Sequence, residues 1–566
     1  MELRYREDEG PVLRPASAFS KIDDNPRRFG RARPLSLPVA ERVDERMAKA
    51  EPTLNASRNC WRIGRADRAA VIIDAADYFK HARQAMLEAE QQVLLVGWDF
   101  DARIRLVHAG EDEAPIKVGQ FFDWLVARRR ALYIYLLRWD TGAIKSLFRG
   151  TTIVTLARWL TKRQIHLKLD SHHPLSAAHH QKIVVIDDCI AFCGGIDMTD
   201  ERWDTRAHKD DERFRVGANG APYKPWHDAT TALTGPVAQA LGELSRTRWH
   251  RAGGERLPTP RATRSCWPDG LRIDFEDCEV AISRTVAAMP GEKAVYEIET
   301  LYLDLIARAE RWIYAESQYF ASHKIAKAIA ERLDEENGPE VVIINPVKAQ
   351  GWLEPIAMDT ARARLFEALQ QRDRHKRLRI HHPVTRSGEP IYVHAKVMVV
   401  DGEILRVGSS NFNNRSMRLD SECDVIIDTT RPANAHCAEQ VARIAFDLLA
   451  EHLDCDASAV ERQFAASGSL IETIAVLNRP DRRRLIDYEV PDLSAVGEAL
   501  ADNQLLDPEN PGGLFEGMTG ASLERGIGVV RHKPLTRPMI AAAAIGTAIG
   551  VGGLAMRLWR GRSKGR

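Results

Sequence analysis

The sequence predicts an α/β protein in which two similar sandwich lobes, products of one duplicated half-domain, face each other and are followed by a C-terminal apolar helix. Two observations predict the lobes. The pattern H-x-K-x4-D occurs twice, as His180-Gln181-Lys182 with Asp187 and as His394-Ala395-Lys396 with Asp401. In each copy a Gly lies seven residues after the Asp (Gly194, Gly408), and an acid or amide lies seventeen after the His (Asp197, Asn411). Matching downstream spacing turns a weak motif into the trace of a duplication, with the two halves meeting at one site. A third observation predicts the final helix: Met539 to Met556 is eighteen residues without a charge.

Taken in order, residues 1–66 are polar and rich in Arg and Pro, and read as an extension. The first lobe, 67–255, opens with an amphipathic helix near 75–90. Strands follow at 93–96, 132–137 and 165–169. The Lys182–Ile186 run then forms the motif strand, followed by a short strand at 190–193. Residues 256–290, with an Arg-, Pro- and Thr-rich stretch at 253–268, read as the connection between lobes. The second lobe, 291–455, repeats the order: a helix near 295–309, strands at 312–315, 341–345 and 378–381, the motif strand from Lys396, and a short strand at 404–407. Helices alternating with strands imply an α/β sandwich in each lobe. Residues 456–530 carry helical patterns at 461–477 and 493–502 among loops.

In a strand, residues two apart share a face, so each motif His and Lys point the same way at the strand entrance. The Gly/Ser turn after the following strand can present N–H groups to an anion. Facing halves therefore assemble two imidazoles, two ammoniums and small polar donors. That inventory suits phosphodiester chemistry. The ammoniums can neutralise non-bridging oxygens, one His can attack phosphorus, and the other can protonate the leaving oxygen and then activate the acceptor. Such a site calls for no metal and no organic cofactor, and no His/Cys cluster has zinc spacing along the chain.

These residues resemble the phospholipase D superfamily, and in particular its eukaryotic-type branch. The match runs from about residue 70 to 455. Its parts are His179–Asp187 with Gly194-Gly195-Ile196-Asp197 and Arg202-Trp203-Asp204, then Val393–Lys396 with Gly408–Ser416. Glu316-Ser317-Gln318-Tyr319-Phe320, Gly97-Trp98-Asp99-Phe100 and Pro225-Trp226-His227-Asp228 complete it. The resemblance implies that His180 is the nucleophile and forms a phosphohistidine, that His394 is the general acid and then base, and that Lys182 and Lys396 hold phosphate oxygens. Asn411 would touch phosphate, as would Ser409 in its turn. Asp197 stands where many members have Asn, and is counted with Asn411 and Ser409 among the substrate-binding residues. Glu422 matches the acid that orients a catalytic imidazole. At the same offset the first half has His208, so Asp204 is taken as the substitute. Asp187 and Asp401, the remaining motif acids, are expected to fix the strand–turn geometry.

The implied activity is hydrolysis of a glycerophospholipid to phosphatidic acid and free headgroup, with possible transfer to alcohols. The alternatives are a phosphatidyl transferase of the cardiolipin synthase kind, a nuclease, and an inactive membrane-binding protein. Net charge is +1, but nine basic and no acidic residues lie from Arg525 onward, leaving 71 basic against 79 acidic residues elsewhere. An acidic body argues against nucleic acid as a partner. The eight Cys lack C-x-x-C, and scattered free thiols suggest a reducing compartment. No apolar run opens the chain as a signal peptide would. Basic residues flank the uncharged stretch on both sides, and residues 538–558 span roughly 30 Å as a helix. The expected partners are a phospholipid substrate and a bilayer. The expected location is a membrane, reached through this segment, with a cytoplasmic catalytic body. The sequence leaves headgroup, acceptor and oligomeric state open.

Overall fold

Each half of the chain runs through the same series of elements, because each carries the same alternation of short β-branched runs and amphipathic stretches. The structure, a computed structural model, describes residues 53–108, 112–140, 152–174, 176–261, 266–349 and 354–490. The first half comprises β1 (Arg62–Ile73), α1 (Ala75–Leu87), β2 (Gln92–Gly97), α2 (Val118–Arg128), β3 (Tyr133–Trp139), α3 (Thr152–Trp159), β4 (Ile165–Asp170), β5 (Ile183–Ile186), β6 (Ile190–Gly194), β7 (Trp226–His227), β8 (Ala229–Thr234) and α4 (Pro236–Arg251). The second comprises β9 (Phe275–Val286), β10 (Val295–Tyr296), α5 (Glu297–Arg308), β11 (Trp312–Glu316), α6 (His323–Leu333), β12 (Glu340–Ile344), α7 (Glu354–Arg372), β13 (Leu378–Val384), β14 (Tyr392–Val393), β15 (Val397–Val400), β16 (Ile404–Gly408), α8 (Asn414–Arg418), β17 (Glu422–Asp428) and α9 (Ala438–Leu453). Then come α10 (Ala457–Ser467), α11 (Leu470–Leu477) and β18 (Arg484–Asp487).

The halves share one continuous sheet, in the order β18-β13-β12-β11-β15-β16-β17-β9-β1-β8-β6-β5-β2-β3-β4. Apart from β18 this order is a palindrome about the β9–β1 pair. That pair is antiparallel, with Ile63 opposite Ala281 and Ala69 opposite Phe275. The motif strands β5 and β15 are buried at every position, as their unbroken Ile/Val/Met runs require. One sheet face is covered in the first half by α1 and α2 (Phe79, Phe121, Phe122) and in the second by α5 and α6 (Leu301, Leu305, Ile329). The opposite face is shared by both halves and closed by α4 (Val237, Leu241) and α9 (Val441, Ile444, Leu448). This makes helix–sheet–helix layers, with the two motif strands entering near the middle.

Several expectations are corrected. Residues 275–286, assigned to the connection between lobes, form the central strand β9, and β1 starts inside the assigned extension. The single helix expected over 461–477 is two, α10 and α11, separated where Gly468 turns left-handed (φ 72°). Cys189 and Cys266 form a disulfide, so the thiols are not all free; the other six are. The expected membrane location is corrected as well: among the described residues no helix is long and apolar enough to cross a membrane. The predicted C-terminal helix, like the 493–502 pattern, lies outside the described residues.

Candidate active site

Both motif Asp residues secure the turns that launch the site. Asp187 adopts a left-handed φ of 49° and accepts hydrogen bonds from the backbone N–H groups of Glu90, Gln91 and Gln92 at 2.6–2.9 Å. Asp401, at φ 56°, does the same for Glu310, Arg311 and Trp312 at 2.7–2.9 Å. Each carboxylate ties the end of its motif strand to the start of the neighbouring strand, β2 or β11. Their side-chain partners are these backbone N–H groups rather than a motif His or Lys.

The strand entrances are tied across the halves. His180 N–H donates to Ser421 O, and Ser421 N–H to Ala178 O, both at 2.9 Å. On the other side, β14 pairs with β7 in parallel, and His394 N–H donates to His227 O at 2.8 Å. These ties bring each imidazole to a carboxylate of the opposite half. His180 Nδ1 lies 3.1 Å from both Glu422 oxygens. His394 Nδ1 lies 2.7 Å from Asp228 Oδ2. With Nδ1–H held by a carboxylate, the lone pair of each ring sits on Nε2.

The acids are seated alike at the entrances of equivalent strands, Asp228 before β8 and Glu422 at the start of β17. Opposite them the two halves differ. Gly195 lies so close that a Cβ there would come within 2.2 Å of Asp228 Oδ1. In the second half Ser409 Oγ instead donates to Glu422, while Ser416 Oγ donates to its other oxygen at 2.7 Å. Asp228 Oδ1 accepts from Ala229 N–H at 2.8 Å.

The lysines lie beside these rings. Lys182 Nζ is 2.8 Å from His180 O and 3.1 Å from Asp197 Oδ2. Asp197 also accepts from Trp98 N–H at 3.0 Å. Lys396 Nζ donates to His394 O and lies 3.4 Å from Gln318 Oε1. Asn411 is buried, and its Oδ1 has no hydrogen-bond partner.

Electrostatics couple the two motifs. Burial depresses His180 well below its ordinary value, with Lys182 and Lys396 adding to the effect. Burial does the same to His394, helped by Lys396, Arg202 and Lys182. Each imidazole therefore feels the lysine of both halves. Burial brings Lys396 down to about 7 and Glu422 up to about 7, and it raises Asp228. Burial thus favours the neutral forms of His180, His394, Lys396, Glu422 and Asp228. An arriving anion would restore the lysine charge.

The structure brings His180, Lys182, Asp197, Ser409 and Glu422 together, and His394 and Lys396 with Asp228. Asp204 is a correction. Instead of orienting His394 it bonds His208 Nδ1 at 3.0 Å, Arg215 at 3.2 Å and the Trp226 N–H at 2.9 Å. The residue missed was Asp228. Equal offsets fail because the loop from 202 to 225 is inserted before β7. The acid therefore comes 48 positions after His180 but 28 after His394. The Pro-Trp-His-Asp block was the available signal, since it sets an acid directly before an apolar, β-branched run.

A family model described as Phospholipase D matches residues 85–333, and one described as Cardiolipin synthase, PLD-like domain matches residues 302–445. Phospholipase D A of Dictyostelium discoideum is 25% identical over 427 residues, covering 63% of this chain and 32% of that protein. Phospholipase D alpha 1 of Carica papaya is 22% identical over 491 residues, covering 62% of this chain and 60% of its own length. The chain thus spans about a third to three-fifths of these two relatives. Among solved structures, the phosphatidylserine synthase of Haemophilus influenzae Rd KW20 aligns with 82% of this chain and 96% of its own, at 12% identity and a TM-score of 0.47.

Proposed function

The chain belongs to the phospholipase D superfamily, and on that footing we propose that it is a phospholipase D, cleaving the phosphodiester of a glycerophospholipid through a phosphohistidine. The observation that carries the reading is the reciprocal pairing: each motif imidazole has its Nδ1 on a carboxylate of the other half, with both lysines acting on both rings. In this reading the phosphate sits between Lys182 and Lys396, which balance its non-bridging oxygens, with the Asn411 amide alongside. Its negative charge offsets the positive field that depresses His394, so that His394 can carry a proton to the leaving oxygen. His180 Nε2 attacks phosphorus, the bond from phosphorus to the headgroup oxygen breaks, and the headgroup leaves with the proton from His394. His394 then removes a proton from water, whose oxygen attacks phosphorus. The N–P bond breaks, and phosphatidic acid departs. Glu422 and Asp228 hold the two rings in the tautomer that each step needs.

A second reading is transfer of the phosphatidyl group to an alcohol, favoured by the match of residues 302–445 to the cardiolipin synthase description. The same site serves both, because only the acceptor differs. The acidic body supports a lipid over a nucleic acid. The purified chain should be incubated with mixed phospholipids and ethanol and the products identified. Phosphatidic acid with phosphatidylethanol is the expected result. Cardiolipin in their place would favour the second reading. Turnover of single-stranded DNA but of no lipid would refute both.

A further inference from the structure

Behind Asp228, four side chains from four separate segments converge. They are Asp74 at the end of β1, His208 in the inserted loop, His227 in β7 and Glu451 in α9. Their ligand atoms all lie within 4.8 Å of one another, and all four residues are buried. Glu451 Oε1 is 3.1 Å from His208 Nε2 and 2.8 Å from His227 Nδ1. Asp74 Oδ2 is 3.5 Å from His208 Nε2, and Asp74 Oδ1 is 3.5 Å from His227 Nδ1. A tetrahedral ion with ligand bonds of about 2.0–2.2 Å separates its donor atoms by about 3.3–3.6 Å. The two Asp74 separations fall in that range, though from different oxygens, and the two Glu451 separations are slightly shorter, so a small turn of the Asp74 carboxylate and a small retreat of Glu451 complete the cage.

The outer atoms are arranged to match. The far nitrogen of each ring is held by another carboxylate: His208 Nδ1 by Asp204 Oδ2 at 3.0 Å, and His227 Nε2 by Glu316 Oε2 at 2.8 Å. Imidazoles that bind a metal are oriented in this way, because the outer N–H bond turns the lone pair inward. Glu316 is fixed in turn by Tyr314 OH at 2.6 Å and His452 Nε2 at 3.0 Å, and Glu451 Oε2 by Arg206 Nε at 2.6 Å.

Four buried carboxylates (Asp74, Asp204, Glu316, Glu451) face two guanidiniums, Arg215 and Arg206, the second of which also pairs with Asp447. At least two added positive charges are needed to balance the set. Two imidazoliums would supply them, but both inward N–H groups would then converge on the single oxygen Glu451 Oε1. Asp74 Oδ2, in a residue 1% exposed, would be left as it is now, with no hydrogen-bond donor. A central dication satisfies all four atoms at once and leaves both rings neutral.

We propose that Asp74, His208, His227 and Glu451 bind one structural Zn2+ that braces the wall behind the second catalytic pair. The N2O2 set selects zinc over calcium or magnesium, which take six or more oxygens, and burial on all sides leaves no open position for substrate. The link to the site is direct. Asp74 Oδ1 accepts the Asp228 N–H at 3.1 Å, Asp74 N–H donates to Asp228 O at 2.8 Å, and His227 O accepts the His394 N–H. Along the sequence the four ligands are scattered from 74 to 451, so no spacing pattern reveals them.

The test does not depend on lipid activity. Full-length protein, dialysed against a weak chelator, should retain about one Zn per chain by elemental analysis. Protein produced with Co2+ should show the strong visible absorption of a tetrahedral site. His208→Ala and Glu451→Gln should each remove most of the metal. Wild-type protein that carries no zinc, gives no such cobalt spectrum and melts at the same temperature with or without added Zn2+ would overturn the proposal and leave the imidazolium arrangement. Zinc retained in full by both variants would overturn its location. Because the cobalt and melting measurements use the wild-type chain, a misfolded variant does not blunt them.

Discussion

Replacing Gly195 by Ala tests whether the seat of Asp228 controls the second imidazole. The new Cβ would lie 2.2 Å from Asp228 Oδ1, so the carboxylate must retreat by at least about 1 Å even to relieve the worst of the overlap, and somewhat more to reach ordinary contact. Its other oxygen accepts from His394 Nδ1 at 2.7 Å. The same retreat stretches that bond to about 3.7 Å, beyond hydrogen-bonding range. A hydrogen bond to a charged group is worth about 1.5–3 kcal/mol, which corresponds to roughly 10- to 150-fold in rate. A misplacement of about 1 Å in a catalytic group costs on the order of 100-fold. The two estimates agree, and kcat should fall about 100-fold. The φ of Gly195 is not positive, so the backbone accepts Ala, and circular dichroism and the melting curve should remain native. The assay is headgroup release from dispersed phospholipid, run beside Asp228→Asn and the double variant. If the argument holds, Asp228→Asn loses at least as much, and the double variant loses no more than Asp228→Asn alone. A Gly195→Ala enzyme within about threefold of wild type, beside a strongly impaired Asp228→Asn, would refute the steric reasoning. A fully active Asp228→Asn would refute the role of the carboxylate.

Three further outcomes are expected. His394→Ala loses both the acid of the first step and the base of the second, so with a labelled phosphatidyl substrate whose leaving group departs without a proton, such as a nitrophenolate, it should accumulate label on His180. In the wild type, label found on His394 and never on His180 would reverse the assignment of roles. Asp401→Asn keeps the left-handed turn but loses part of its hold on three backbone N–H groups. It should cost about 1–3 kcal/mol of stability in denaturant melts while activity per folded molecule stays within about threefold; a large kcat loss at unchanged stability would give Asp401 a chemical role. Lys396 sits at about 7 in the folded protein against 10.5 ordinarily. The free enzyme should therefore lose this positive charge, and kcat/KM with it, as pH rises through about 7. Across the window from 7 to 10.5 the unfolded chain binds the extra proton, so this group makes stability rise with pH. Lys396→Met should flatten that part of the stability profile, and an unchanged slope would contradict the depressed value.

The repeat was legible because duplication writes itself twice. The motif strands, the strands beside them and the helices that open each half follow from period and β-branching. The two His–Lys pairs follow from the repeated motif, and Glu422 from the family resemblance. Four things were not legible. β1 and β9 lie at or beyond the edges of the recognised repeat, β17 lies inside the second lobe but was not read as a strand, and the role of all three in joining the halves depends on pairing across the whole chain. The partner of His394 was displaced by the loop from 202 to 225, so counting from the motif landed on His208. The buried His–carboxylate cluster draws on residues as far apart as 74 and 451, and only tertiary packing brings them together. Helix α10 ends at Gly468 for a local reason, a left-handed turn, that a hydrophobic period alone does not register.

The exchange of carboxylates between halves also has a consequence in time. The chain is made from its N-terminus, and the partner of His180 lies 242 positions later, at Glu422. At about 5–20 residues per second, the ribosome takes roughly 12–50 s to travel from one to the other. During that interval the first imidazole already exists but lacks the acid that orients it, and β1 still awaits β9. A nascent chain that has folded only its first half is therefore chemically silent. Under the proposed reading, competence arrives late and all at once, when the second half docks.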